Sequence, residues 1–175
     1  MKHHPQRTRL SHEQALELAK RSYRNLASLL QEIPRQDERE PAYTARVIAP
    51  IVRAHVQKYA GVVMSGDGAT SARTISFLGR PHRPDMILTV DQVEVMAIEV
   101  KFLRSSGRQN AVATALGQAS IYKLADFAAV AVCLIDLEST SDIAIGEREK
   151  YAFASMGIVP LIFKRRRNNL VNLHA

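Results

Sequence analysis

Helical spacing of apolar residues dominates the first third of the chain. Ser11 and Gln14 stand three apart in a capping-box arrangement, and Leu18, Ala19, Tyr23, Leu26, Leu29, Leu30 and Ile33 follow at the spacing of one helix face. Pro34 ends that helix, and a charged connector over 36–40 leads to a second. In the second helix Tyr43, Val47, Ile48, Ile51, Val52 and Val56 share a face, Gly61 is the stop, and Pro50 predicts a kink or break near Ala49. From Val62 the period shortens. Segments 62–64, 73–78, 86–90 and 93–102 are short apolar or β-branched runs separated by Gly, Pro and Asp, the pattern of an antiparallel meander. Helical spacing returns over 110–124, with Ala111, Ala115, Gln118 and Tyr122 on one face. A nearly all-apolar strand over 128–135 comes next and should be covered on both sides. A helix over 147–156 stopped by Gly157, a strand over 158–163 and a basic stretch over 164–167 complete the order. Helix and strand alternating after a hairpin predict an α/β fold, a mixed sheet with helices on both faces.

The length of 175 residues, 46% of them apolar, suits one core. The longest apolar run, 127–135, is too short to span a bilayer, so no membrane association is expected. The basic N-terminus leads into a charged amphipathic segment instead of a signal sequence, which predicts a cytoplasmic protein. Cys133, the one cysteine, lies within the apolar run and reads as a core thiol. His3, His4, His12, His55, His82 and His174 show no metal-like pairing. A net charge of +7 favours a polyanionic partner, nucleic acid before anionic membrane, without identifying a site.

The chemistry concentrates at Pro84-Asp85 and Glu99-Val100-Lys101. Glu99 and Lys101, two apart on a strand, emerge on the same face. In an otherwise apolar segment they must meet solvent, each other or a metal. Asp85 and Glu99 with the Val100 carbonyl would form a hard oxygen site suited to Mg²⁺. Burial and a nearby cation would lower the Lys101 pKa, so that Lys101 orients or deprotonates water. The bland alternative is a surface ion pair beside an unrelated aspartate.

These residues resemble the PD-(D/E)XK nuclease motif, and Gln118-Ala119-Ser120-Ile121-Tyr122 on the next helix is similar to the Gln-x-x-x-Tyr motif of the RecB-like branch. The resemblance spans about residues 40–163. It implies a restriction-endonuclease-like fold over 37–175, with 1–36 left over as an N-terminal helical extension. It also implies hydrolysis of DNA phosphodiester bonds with Mg²⁺, Mn²⁺ substituting, in DNA processing, repair or defence. Asp85, Glu99, Lys101, Gln118 and Tyr122 would be catalytic, joined by an acid from the helix before the sheet, Glu40 in preference to Glu38. Asp67, in a Gly-flanked segment, reads as a turn residue.

Register tests this assignment. A flat hairpin with Asp91 and Gln92 as its loop would pair Asp85 with Ile98 and turn it away from Glu99. Asp-Gln also lacks the glycine favoured in two-residue loops, so a three-residue loop over 91–93 or a bulge is expected. Arg80, Arg83, Arg104 and Arg108 flank the motif and would meet phosphates. With no Trp and 6% aromatic residues, the chain offers no evident base-stacking platform. DNA is the expected partner, RNA stays open, and so do a homodimer and a place in a larger complex. The alternative is a catalytically inactive nucleic-acid-binding or assembly subunit.

Overall fold

The computed structural model describes residues 13, 14, 17, 21, 29, 30, 32–35, 37–56, 61–66, 73–104, 106–138, 147–166 and 169–172. Of the expected N-terminal helix, Glu13, Gln14, Glu17, Arg21 and Leu29 are described and helical, whereas Leu30, Glu32 and Ile33 are described and not helical, so the helix does not run on to Pro34; its other positions lie outside the described residues, as do Asp67 and Arg167. Among the described residues the sheet has six strands: β1 (Val62–Ser65), β4 (Met86–Val90), β5 (Val93–Leu103), β6 (Ala129–Asp136), β7 (Ile158–Arg166) and β8 (Asn169–Asn172), in that spatial order. β4 runs antiparallel to both its neighbours, β1 and β5; β5, β6 and β7 are parallel, and β8 returns antiparallel to β7. The fold is therefore α/β with a mixed sheet.

Helices cover both faces. The first cover is one helical path: α1 (Glu40–Tyr43), a π-helical turn (Thr44–Ile48) and α2 (Ala49–Val56). The irregularity expected near Ala49 takes the form of that π-helical turn, and the path continues through Pro50. A proline in an α-helix leaves the carbonyl four residues back without a donor, and the widened turn, in which the Ala49 N–H reaches the Thr44 carbonyl, ends just ahead of it. Tyr43, Ile48 and Val52 pack on Met86, Ile98, Val100 and Cys133. On the other face α3 (Arg108–Leu124) and α4 (Glu147–Ser155) bring Ala115, Ala119, Tyr122 and Phe153 against Ala97, Val132, Leu134 and Ile162. β6 lies between these layers with every residue buried, which accounts for its unbroken apolar sequence.

The β4–β5 hairpin sets the position of everything that follows. Val90 pairs with Val93, so the loop is Asp91 and Gln92 alone, both at positive φ, 47° and 70°. The expected three-residue loop does not form. The missing glycine is offset from outside, because the Asp91 N–H donates to the Gly61 carbonyl at 3.0 Å. A larger residue at Gly61 would be strained at its φ of 79° and would have to displace the Asp91 carboxylate, since a Cβ there would lie 2.5 Å from Asp91 Oδ1. Beyond Thr89 and Glu94 the ladder slips, and Leu88 pairs with Met96, leaving Val95 as the extra residue of a bulge. Val95 and Met96 consequently enter the same core layer. From there on, Ala97, Glu99 and Lys101 belong to the face covered by α3.

Two further elements depart from expectation. Segment 73–78 does not join a meander; β2 (Ile75–Phe77) and β3 (Arg80–His82) form a separate two-stranded ribbon. The basic stretch is strand, since β7 continues to Arg166 and β8 pairs with it. Among the described residues no helix is long and apolar enough to cross a membrane.

Candidate active site

β5 outruns β4. Met86 with Ile98 is the last pair between them, whereas β6 accompanies β5 to Leu103. Residues of β5 beyond Ile98 therefore have backbone groups directed at a lane that β4 has left, and buried N–H groups need acceptors. Carboxylates supply them. Asp85, at the mouth of β4, accepts the Val100 N–H through Oδ2 at 2.7 Å, and Glu40, the first residue of α1, accepts the Phe102 N–H through Oε2 at 2.7 Å. The bulge decides the outcome. With Met86 opposite Ile98, the next position brings Asp85 opposite Glu99, and the two carboxylates share a face.

Glu99 is 1% exposed. Lys101 Nζ lies 2.7 Å from Glu99 Oε1 and 3.0 Å from Glu40 Oε1, and the Tyr122 hydroxyl donates to Glu99 Oε2 at 2.9 Å. Glu99, Lys101, Glu40 and Tyr122 thus form one connected cluster drawn from β5, α1 and α3, and Asp85, just before β4, joins it through the Val100 backbone. Gln118, one turn before Tyr122, has its Oε1 buried with no partner among the described residues. Glu38 goes elsewhere: Arg46 Nε and Nη2 hold it at 2.7 and 2.8 Å, and that contact keeps its carboxyl down at about 2.

Burial raises the pKa of Asp85, only partly opposed by the Val100 N–H. Burial and the Asp85 charge together push Glu99 up to about 7. Lys101 runs against expectation. Burial alone would lower its pKa, but Glu99, Glu40 and Asp85 outweigh that and push it above the ordinary lysine value. In the metal-free site it is an ammonium held by carboxylates, a donor and a counter-charge.

The flanking arginines divide. Arg80 and Arg83 are exposed around the β2–β3 ribbon, and Arg104 is exposed with its guanidinium 5.8 Å from the Phe102 ring centre. Arg108 is instead engaged by Asp136, Nη2 to Oδ2 2.9 Å, at a site almost closed to solvent. That pair fastens the start of α3 to the end of β6. Sequence reasoning missed Asp136, whose signal was an acid ending an otherwise apolar strand.

An α/β mixed sheet with a carboxylate and lysine cluster where one strand outruns its neighbour is the class that the geometry defines. No family model matches the chain and no curated protein matches it. Among solved structures, SfsA of Pyrococcus furiosus in complex with Ca²⁺ overlaps 73% of this chain and 62% of its own, at 11% identity and a TM-score of 0.34. The chain therefore spans less than two thirds of that protein.

Proposed function

We propose that the chain is a Mg²⁺-dependent nuclease of the PD-(D/E)XK type with a restriction-endonuclease-like fold, hydrolysing DNA phosphodiester bonds. The observation that carries this reading is the convergence of Asp85, Glu99 and Lys101 where β5 outruns β4, in a register produced by the Val95 bulge. A surface ion pair beside an unrelated aspartate would not be buried, nor would it share its lysine with a third acid.

The donor set suits a hard cation. Strand residues direct N–H and C=O to the same side, so the Val100 carbonyl faces the lane between Asp85 and Glu99. The Asp85 charge raises the pKa of buried Glu99, and Glu40 adds to the raised pKa of Asp85, a crowding of carboxylates that a cation would relieve. Among the described residues no group of three or more His, Cys, Asp or Glu stands in a metal-binding arrangement. The protein share would be two carboxylates and one carbonyl, few enough for Mg²⁺, which keeps several waters. Such an ion, when bound, supplies positive charge to the phosphodiester and lowers the pKa of water.

The remaining work falls to side chains. The Lys101 ammonium orients the attacking water and offsets charge developing on phosphate oxygens. Glu40 positions that ammonium, and Tyr122 fixes the rotamer of Glu99. The net charge of +7 draws in the polyanion, with Arg80, Arg83 and Arg104 as exposed cations near the motif.

Cleavage of linear duplex, circular single-stranded, supercoiled and four-way-junction DNA, with Mg²⁺ or EDTA, tests the proposal on wild type and Asp85→Asn. The expected result is cutting with Mg²⁺ that EDTA and Asp85→Asn both abolish. Salt-sensitive binding with no cutting of any substrate would replace the enzyme with an inactive binding subunit.

A further inference from the structure

The β2–β3 ribbon takes no part in the ladder of the main sheet, and its turn is built against folding preference. Ile75 pairs with His82 and Phe77 with Arg80, so Leu78 and Gly79 form a two-residue turn at φ 48° and 73°. Asn, Asp or Gly takes that first position with little strain, whereas leucine enters the left-handed region at a cost. Packing gives nothing back. Leu78 is 88% exposed, more than any other large apolar side chain among the described residues. A conformational and a solvation cost at one position, without return inside the fold, mark a side chain kept for a contact outside it.

The surroundings indicate the partner. From Arg73 to Pro84 the sequence holds no acid and carries Arg73, Arg80, His82 and Arg83. Arg80 is exposed with no acidic partner among the described residues. Arg83 Nε donates to Thr74 Oγ1 at 2.7 Å, which holds its guanidinium along the ribbon. Arg73 pairs with Glu94 at 2.9 Å and lies 5.8 Å from the Phe127 ring centre, fastening the ribbon's base to the body. A two-stranded ribbon fits a nucleic-acid groove, guanidinium groups meet phosphates, and an apolar tip parts a base step. A second copy of this chain would bring its own excess of positive charge to the same cations, which disfavours self-association through the tip.

The ribbon also leads directly into the site. Asp85 lies seven positions after Leu78, a span of at most about 25 Å, or roughly seven base pairs. One bound duplex reaches both. We propose that the ribbon enters a groove of the DNA and that Leu78 wedges a base step near the site, directing the protein to DNA that is already unstacked, such as bulged or branched duplex. The position of the cut relative to the wedge rests on the nuclease reading; the wedge itself does not.

The test measures binding in EDTA, with 2-aminopurine in matched and single-base-bulged duplexes. Wild type should bind the bulged duplex about tenfold tighter than the matched one and raise the fluorescence. Leu78→Asn, whose side chain suits the turn, should melt no lower than wild type yet bind the two duplexes within about twofold, without the fluorescence rise. Arg80→Ala should weaken both duplexes alike and reduce the salt slope by about one. Equal preference and fluorescence in wild type and Leu78→Asn would overturn the wedge. So would a fall in the mass of Leu78→Asn from dimer to monomer with DNA binding unchanged, which would make the tip a contact between copies. Cleavage with Mg²⁺ is scored separately on wild type. If wild type unstacks DNA but never cuts it, the wedge stands and the nuclease reading falls; if it cuts but Leu78→Asn binds as it does, the reverse holds.

Discussion

At the scale of residues, the site turns on a buried carboxylate that is expensive to ionise. Glu99 is raised from 4.5 to about 7, so its neutral form is favoured on folding. For a carboxyl raised in this way, stability is fully present below the unfolded pKa and is lost as pH rises through the folded one. The window here is between about 4.5 and 7. The metal-free protein should therefore lose stability over that range, by an amount on the order of 3 kcal/mol for the full shift. Glu99→Gln removes the titration, and its melting temperature should fall much less from pH 5 to pH 8. The slope is the quantity to read, because the substitution also takes a partner from Lys101. Parallel pH profiles would place the titrating group elsewhere. Mg²⁺ should raise the wild-type melting temperature more at pH 8 than at pH 5, since it binds the ionised carboxylates. Asp85, Glu99 and Lys101 stood out in the sequence because charge is conspicuous in an apolar strand. The direction of the Lys101 shift did not, because it depends on how closely the folded chain brings Glu99, and then Glu40 from 61 positions away, to the ammonium.

At the scale of elements, α3 must lie close to the sheet for Tyr122 to reach Glu99. Ala115 and Ala119, both fully buried, permit that approach. Ala119→Leu should overpack the contact, cost about 1–3 kcal/mol in urea unfolding, and lower activity further than stability explains by moving Tyr122 away. Activity unchanged beside the expected stability loss would detach Tyr122 from the mechanism. The extents of α3, β4 and β6 were legible because apolar period and length agree there. The two-residue loop was not. Asp-Gln forms it only with the Gly61 carbonyl as acceptor, a contact 30 positions distant, and the Val95 bulge then corrects the register. The β2–β3 turn was missed for a related reason, since leucine is a poor signal for a left-handed position. β8 follows a basic stretch without strand periodicity, and its pairing with β7 left no trace in the sequence.

At the scale of the whole molecule, sheet order and helix cover bring together Asp85 from the segment entering β4, Glu99 from β5 and Glu40 from α1 where β5 outruns β4. The alternation of helix and strand made the mixed sheet foreseeable; the order of its strands depended on which segments met across it. Electrostatic capture and chemistry belong to different residues in this account, so they should separate in experiment. DNA binding in EDTA should weaken steeply with salt in wild type and Lys101→Ala alike. The most direct measurement is single-turnover cleavage of supercoiled DNA with Mg²⁺ by wild type and Lys101→Ala, each verified as folded by circular dichroism. Loss of a well-placed charge in a buried site predicts a fall in rate of about 10²-fold or more, with binding largely kept. Lys101→Ala cutting within a few-fold of wild type would contradict the site.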